Sequence, residues 1–392
     1  MQRIGIVGGG AAGLFCAAYL AYYTSYPITI YEKNNRVGKK LLVTGNGKCN
    51  LSNIHWHSCV YNHPQIMDLI ASFDVEKTRD FFKKIGLLTK VDSNGRVYPY
   101  SETATSVLET LRQFLIQKKV TFICDCFIKA IEKKQHYFIL KSCSQTYQED
   151  YVILSTGGLA YYQKSNSYTL LSSFNHTVTP LSPSLTGIKT IEKLDSIANI
   201  RCKAKVSLWV NHQCQASDQG EVLFKKDGLS GIVIFQISHF VNRFLPYQKQ
   251  LITLDLMPEY DMETLTKIFE QKKEQNLDLL QGIFPKMLAN YVYQQASSLE
   301  IKDLILTIKQ LPFHIQNLDS YDHAQITSGG AVLDEIHLSS MESKRISHLY
   351  LIGEIVDVDG LCGGYNLQWA WTSAALCAIN LRKEEKNEKK ET

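Results

Sequence analysis

The stretch "GIVGGGAAGLFCAAYL", residues 5–20, decides how the chain is read. It is apolar, lies close to the first methionine and follows Arg3, which invites two readings: the core of an export signal, or the turn of a nucleotide-binding unit. A signal peptide requires a longer basic segment and an unbroken apolar run. Here Gly8, Gly9, Gly10 and Gly13 interrupt the run and weaken any helix through its first half. They leave a strand over residues 3–7, a tight turn, and a helix over residues 11–22. The spacing Gly8-x-Gly10-x-x-Gly13 has a physical reason at each glycine. Gly8 permits the sharp exit from the strand. Gly10 lacks a Cβ, so a pyrophosphate can approach its backbone. Gly13 lets the helix lie close on the strand, and the helix N-terminus then turns free N–H groups toward the phosphates. The nucleotide reading is the better one.

A glycine turn alone is weak evidence. Its confirming context is a second strand ending in an acid about 20 residues on. "YPITIYEK", residues 26–33, supplies it: Ile28, Ile30 and Tyr31 suit a buried strand, and Glu32 stands 19 residues after Gly13. A carboxylate there accepts hydrogen bonds from ribose hydroxyls and repels a 2′-phosphate. Adenosine with free ribose hydroxyls is therefore expected, as in FAD or NAD, rather than NADP.

At 392 residues the chain should hold about two or three domains. Hydrophobic residues at 45% and charged residues at 20% describe an ordinary globular composition. A net charge of +4 gives no case for a nucleic-acid partner, and no specific protein partner is evident. The tail "LRKEEKNEKKET" mixes charge signs and reads as a frayed, solvated end. No run reaches about 18 apolar residues, so no membrane span is expected; with no export signal, the cytoplasm is the expected location. The 10 cysteines are scattered singly apart from Cys124 and Cys126, and none forms a CxxC pair. That argues against a thioredoxin-type redox pair, a zinc ribbon and an iron–sulfur cluster, and no metal is expected. Cys124 and Cys126 fall in the alternating "VTFICDCFIKAI", where both sulfurs would face one side of a strand as small buried hydrophobes.

After Glu32, "NNRVGKKLLVTGNGKCNLSN" reads as an unusually long loop, whose Gly38, Gly45 and Gly47 suit backbone held close to a ligand. Residues 65–86 look helical, as do residues 103–118, where Val107, Leu108, Leu111 and Leu115 fall at helical spacing. Residues 120–158 read as a series of strands ending in "YVILSTGG", a buried strand that returns to the same parallel sheet. From residue 188, short alternating runs such as "AKVSLWV", "GEVLFKKDGLSGIVIFQIS" and "QLITLDLM" suggest an antiparallel β unit. A helical pattern follows, with Leu265, Ile268 and Phe269 on one face and Ile301, Leu304, Ile305 and Ile308 on another. β character and glycine then return in "AQITSGGAVLDEI" and "HLYLIGEIVDVDG". An inserted region thus separates two pieces of one nucleotide-binding domain.

"LYLIGEIVDVDGLCGGYNLQWAWTSAALCAINL", residues 349–381, repeats the opening arrangement. A strand runs into Gly353 and Glu354, and a second loop carries Asp357, Asp359, Gly360, Gly363 and Gly364. A helix follows from about residue 366, with Trp369, Ala370, Ser373 and Ala374 on one face. Its start again presents free N–H groups and a positive dipole end. One helix N-terminus serves a pyrophosphate. The second would suit another electron-rich group of the same ligand, such as the N1–C2=O edge of a reduced isoalloxazine. The competing reading is a surface loop whose acids cap a helix.

"GKKLLVTGNGKCNLSN", "GRVYPYSETATSVLETL", "STGG", "QITSGGAVLDEI" and "GEIVDVDGLCGGYNLQWAW" resemble, in order and over most of the chain, signature stretches of the HI0933-like (BaiN-type) FAD-dependent oxidoreductases. The resemblance implies an α/β fold, with a Rossmann-like FAD-binding domain over residues 1–187 and 322–392. An inserted antiparallel β-barrel domain at 188–258 and a small helical domain at 259–321 would split it. It also implies non-covalent FAD, reduction by NAD(P)H in some members, and oxidase or enone-reductase chemistry in others. Carried onto this chain, Gly8, Gly10, Ala11, Ala12 and Gly13 would hold the pyrophosphate, and Glu32 with Lys33 the adenosine end. Lys40, Thr44, Gly45, Gly47, Cys49 and Asn50 would line the isoalloxazine side. Glu354 resembles the acid that binds ribitol in related flavoproteins. Gly364, Tyr365, Asn366 and Leu367 would meet the pyrimidine edge, and Thr156, Gly157, Gly158, Gly353 and Asp359 complete the cofactor-binding set. Two departures stand out: "YYQKSNSYTLL", residues 161–171, lacks the glycines usual there, and Ala374 stands where a glycine is usual. The first bears on substrate or nicotinamide access.

The expected function is that of an FAD enzyme moving a hydride through flavin N5 between NAD(P)H and a small organic substrate. The flavin does the difficult chemistry, which is why no acid–base pair stands out. Tyr365 and Cys49 are the candidate proton donors, and each reads equally well as packing. His314 and His323 could reach the site, or be ordinary surface histidines. Competing readings are an oxidase passing electrons from a small amine to oxygen, and a flavin-binding module without turnover. An NAD-dependent dehydrogenase fits less well, because only one dinucleotide fingerprint is present. Cys49 and Cys362 are the two cysteines in loops that could touch a flavin, and without a CxxC no sulfur relay is expected.

Overall fold

The computed structural model describes residues 2–56, 60–161, 167–244 and 249–391. The chain divides into two compact units, Met1–Ser182 with Ile326–Thr392, and Pro183–Gln325.

In the first unit the opening turn folds as its glycines require, into β1 (Ile4–Val7), α1 (Ala11–Tyr23) and β2 (Ile28–Tyr31). A two-residue strand, β3 (Ser52–Asn53), follows the long loop. The helix expected over 65–86 is two helices, α2 (Ile66–Ser72) and α3 (Val75–Lys84). Asp74 separates them, its carboxylate accepting from the Lys77 N–H at 2.9 Å, an N-cap that a continuous helix could not make. Next come β4 (Thr89–Val91) and β5 (Arg96–Pro99), which pair with β3 in a small antiparallel sheet, and α4 (Ala104–Gln117), capped by Thr103. β6 (Thr121–Ile123) stops short of Cys124, and Asp125 at φ 51 breaks the alternation. The two cysteines therefore do not share a strand; Cys126 is buried, its sulfur 3.8 Å from the Tyr147 hydroxyl. β7 (Ala130–Lys133), β8 (Phe138–Lys141) and β9 (Thr146–Glu149) form an antiparallel meander that leads into β10 (Tyr151–Leu154).

The main sheet places the strand Leu349–Leu351, β10, β1, β2 and β6 side by side in parallel. β1 and β10 are buried at every residue, as central strands between covering layers must be. The chain leaves β1 toward β2 on one side, while β10 and the C-terminal strand lie on the other. The strand order thus reverses at the carboxyl end of β1, where open α/β sheets hold their ligands. α1 is buried from Ala12 to Leu20. Its Phe15 ring meets Phe81 at 5.0 Å, Phe82 at 5.3 Å and Trp371 of the last helix at 5.2 Å. Each such ring contributes about 1.5–3 kcal/mol when fully buried, so packing holds a helix that starts in three glycines.

The last helix, Tyr365–Glu391, includes the tail expected to fray. Glu385 is buried, and its Oε1 accepts from the Ser25 N–H at 2.9 Å and the Ser25 hydroxyl at 2.5 Å. One inward-facing acid pins what the mixed charges alone suggested was solvated. No described helix is long and apolar enough to cross a membrane.

In the second unit six strands close into a barrel: β11 (Ile188–Thr190), β12 (Arg201–Val210), β13 (Gln213–Lys225), β14 (Gly228–Ser230), β15 (Gln250–Asp255) and β16 (Leu311–Leu318). Two expectations need correction here. "IVIFQIS" is helical, within α5 (Ile232–Val241), because Gly231 at φ 112 turns the chain out of β14 and Val233, Ile234 and Ile237 bury on the barrel side; packing overrides β propensity. The helical segment 259–321 is also not a domain of its own. Its helices α6 (Met262–Glu274), α7 (Lys286–Gln295) and α8 (Ile301–Lys309) share one core with the barrel, and β16 inside it closes the barrel.

At the margin of the main sheet, buried His176 lies between Glu335 at 3.0 Å and Ser343 at 2.8 Å. Glu335 also accepts from Arg345 at 2.5 Å and from the Thr177 N–H at 2.9 Å. The Arg345 guanidinium foremost holds the Glu335 carboxyl down at about 2. This stabilisation is present above the ordinary carboxyl range and is lost as pH falls through the folded value. Glu335→Gln should remove about 1.5–3 kcal/mol of unfolding free energy at neutral pH, and the deficit should shrink as pH approaches about 2. Urea unfolding at both pH values checks this; an equal deficit at each would assign the effect to packing alone.

Candidate functional site

Three glycines of the first turn have distinct surroundings. Gly8 has φ 108, and a Cβ on it would lie 2.5 Å from the Ser155 carbonyl oxygen. On Gly13 it would lie 2.1 Å from the Gly8 oxygen. At Gly10, by contrast, nothing lies within 4 Å of the Cβ position. Gly8 and Gly13 are demanded by the fold, whereas the space before Gly10 is left over. Gly10 caps α1 without any side-chain acceptor, so the N–H groups of Ala11, Ala12 and Gly13 have no partner within the helix.

Glu32, at the end of β2, is buried. Its Oε2 accepts from the Gly9 N–H at 2.8 Å, and its Oε1 from the Asn34 N–H at 2.9 Å and the Asn34 side chain at 2.6 Å. Oε1 is saturated, while Oε2 keeps an acceptor lone pair. Lys33 beside it is partly buried, and desolvation pushes its ammonium pKa down.

The long loop folds back over this turn, the Gly38 N–H donating to the Gly9 oxygen at 2.8 Å. Lys40 then reaches Glu354 from the far end of the chain, Nζ to Oε2 at 2.7 Å. The other oxygen of Glu354 accepts from the Thr327 N–H at 2.9 Å. The Thr327 hydroxyl in turn accepts from the N–H groups of Leu159 at 2.7 Å and Ala160 at 3.0 Å. A Cβ on Gly158 would sit 2.8 Å from Glu354 Oε1, and one on Gly353 2.8 Å from the Ala12 Cβ. A Cβ on Gly364 would sit 2.5 Å from the Ser52 oxygen and 2.8 Å from Asn50 Oδ1. Ala12, Lys40, Gly158, Gly353 and Glu354 are thereby brought together, and Asn50 meets the start of the last helix. Thr44, Gly45 and Gly47 lie in the strained bend between them, with Gly45 at φ 56, Gly47 at φ 81 and Cys49 at φ 57.

Several candidates turn out to be engaged elsewhere. Cys49 is fully buried and its thiol is pushed up to about 12 by that burial, which leaves it a packing group unsuited to trading protons near neutrality. The Tyr365 hydroxyl donates to the His55 carbonyl at 2.9 Å, and its ring packs edge-on against Trp56. The Asn366 side chain closes its own loop, exchanging two hydrogen bonds of 2.8 Å with Gly360. Asp359 is buried, with the Ser328 hydroxyl donating to it at 3.4 Å. His314 and His323 belong to the second unit and pair with Glu192 at 2.7 Å and Asp319 at 3.1 Å. Of the stretch 161–171, residues 162–166 lie outside the described residues. Sequence reasoning missed Thr327: the signature "QITSGG" contains it, yet nothing in the spacing says that its hydroxyl gathers two amides.

Asn50 Oδ1 and Thr156 Oγ1 are buried without a hydrogen-bond partner. Each such atom costs about 1–3 kcal/mol unless something supplies the missing bond. A polar ring with N–H and carbonyl groups, an anion at the start of α1 and a ribose at Glu32 would together satisfy what the protein leaves open. FAD carries all three.

The model of the HI0933-like protein Rossmann domain matches residues 2–380. The chain belongs to the HI0933-like family. It is 34% identical to the 3-dehydro-bile acid delta(4,6)-reductase of Clostridium scindens, over 96% of this chain and 98% of that protein. It is 27% identical to the ribosomal RNA dihydrouridine synthase of Haemophilus influenzae, over 97% of this chain and 98% of that one. A solved 3-ketosteroid delta1-dehydrogenase from Sterolibacterium denitrificans shares the fold, with TM-score 0.54 at 12% identity over 98% of this chain and 99% of that chain. HI0933-like proteins of this kind are FAD-dependent oxidoreductases, and the residues gathered here fit that cofactor.

The two glycine environments separate fold from ligand. Gly10→Ala should leave the thermal midpoint of the cofactor-free protein unchanged while weakening FAD binding at least about tenfold, or ~1.4 kcal/mol. Gly13→Ala should lower the midpoint itself. Calorimetry of the cofactor-free chains and FAD titration check both; a Gly10→Ala chain that binds FAD like the parent would show that the open space is not the ligand's.

Proposed function

We propose that this protein reduces a carbon–carbon double bond conjugated to a carbonyl, with NAD(P)H as electron donor and an enone ring or a uracil ring as acceptor. The observation that carries the reading is the character of the gathered site. The starts of α1 and of the last helix, Lys40 and Glu354 belong to it, while its thiol and hydroxyl candidates, Cys49 and Tyr365, are buried or engaged. Such a site positions a cofactor and polarises it, and asks little of its own side chains. When bound, FAD supplies hydride transfer through its N5. The N-terminus of α1 would hold the pyrophosphate, and that of the last helix would face the pyrimidine edge with its positive dipole end. In the overall reaction a hydride reaches the carbon β to the carbonyl, a proton from water reaches the α carbon, and NAD(P)H leaves as NAD(P)⁺.

Support comes from the names of two relatives. A delta(4,6)-reductase and a dihydrouridine synthase both saturate a ring double bond that a carbonyl polarises. The expectation of no nucleic-acid partner rests on whole-chain charge, which says nothing of a single base entering a site. Both acceptor types therefore belong in one assay.

Mixed anaerobically with NADH or NADPH, the FAD-loaded protein should lose its visible flavin absorbance. It should regain it on adding a steroid 4-en-3-one or a uridine-containing ribosomal RNA fragment. Cys49→Ser and Tyr365→Phe should each keep kcat within about tenfold of the parent, since general acid catalysis is worth 10²–10⁴-fold. Reduction by amines with reoxidation by oxygen alone would establish the oxidase reading instead.

A further inference from the structure

Lys48, Lys90 and Arg96 line a cleft of about 290 Å³ together with Asp92 and Glu102. Lys48 directly precedes Cys49 in the loop that folds toward the cofactor residues. Arg96 opens β5 and pairs in register with Asn53 of β3, whose side chain donates to the Gly363 carbonyl at 3.1 Å. The Arg96 charge also acts on the first residue of the last helix, opposing the rise that burial imposes on the Tyr365 hydroxyl. The cleft therefore adjoins the entrance of the last helix.

Its charges are unevenly committed. Asp92 shapes the turn between β4 and β5, Oδ1 accepting from the N–H groups of Asn94 and Arg96, each at 2.9 Å. Glu102 bridges the two lysines, 2.8 Å from Lys48 and 2.5 Å from Lys90, from a left-handed backbone at φ 53. Both lysines hold its carboxyl down at about 2. Among the described residues, the Arg96 guanidinium makes no hydrogen bond or ion pair. A planar fork of N–H donors beside two lysines that already grip a carboxylate is suited to an oxyanion.

We propose that this cleft binds the anionic group of the substrate, a carboxylate or a phosphate. Arg96 is its two-pronged donor, and the Glu102 carboxylate is the internal stand-in that the ligand displaces from Lys48 and Lys90. The inference rests on the reductase reading only for where the rest of the substrate goes, and its test uses binding rather than turnover.

The FAD-loaded full chain is titrated, following flavin absorbance, with two pairs of probes: UMP against uridine, and a carboxylated steroid 4-en-3-one against its methyl ester. In at least one pair the anion should bind about tenfold more tightly. Arg96→Met should erase that preference and leave the neutral member's affinity within about twofold, while Arg96→Lys should keep part of it. Glu102→Gln should tighten the anion several-fold. Which pair shows the preference identifies phosphate or carboxylate. Equal affinity within both pairs, or no response to either pair, overturns the proposal, as does equal weakening of both members by Arg96→Met. An anion preference in a protein that reduces neither the steroid enone nor the uracil ring would sink the reductase reading and leave this one standing.

Discussion

The close approach of Gly13 to the Gly8 carbonyl is the contact on which the rest depends. A Cβ on Gly13 would come within 2.1 Å of that oxygen, a separation no larger residue could accept. Only with α1 pressed so near β1 do its unpaired N–H groups stand at the carboxyl end of the central strand. There the order of the sheet reverses and leaves a crevice. The same turn receives the returning chain, since Gly353 lies against Ala12. One tight backbone contact thus sets the depth of the site and the place where its two distant halves meet.

The halves are held by buried polar bonds from the last helix. Trp371 donates to the Leu51 carbonyl at 2.9 Å and Trp369 to the Gly353 carbonyl at 3.1 Å. Gln368 accepts from the Ser52 hydroxyl at 2.7 Å and donates to the Phe73 carbonyl at 3.1 Å. Trp371 also packs on Phe15 of α1, ring centroids 5.2 Å apart, so the residue that fixes the loop helps bury the helix. A loop carrying left-handed Asn46 and Cys49 is strained on its own. It keeps its shape because the helix beneath it supplies fixed partners, the supporting shell that a precise site needs.

The site's own side chains do little chemistry and much positioning. Cys49, Tyr365 and Asn366 look reactive or ligand-facing in a string of residues, yet in the fold they are packing or loop-closing groups. Lys40, Glu354 and Thr327 form a relay of charge and hydrogen bonds instead, and it fixes the segment after Gly157 and Gly158. Such a division suits a cofactor that brings its own reactivity.

What the sequence by itself determined was local and periodic. The Gly8, Gly10 and Gly13 spacing, Glu32 at the end of the next strand, and the glycine-rich entrance to the last helix each express a rule of backbone geometry acting over a few residues. They sufficed for an α/β fold split by an insert, and for naming the candidates that the fold then surrounds with particular neighbours. Tertiary structure decided everything that depends on partners far along the chain. Glu385 became buried because Ser25 was there to meet it, "IVIFQIS" became a helix because the barrel offered an apolar face, and β16 closed a barrel from inside a helical segment. Thr327 and Arg96 stayed invisible for the same reason. A hydroxyl or a guanidinium carries no period, and its role exists only once Glu354, Leu159 or Glu102 has been folded up beside it.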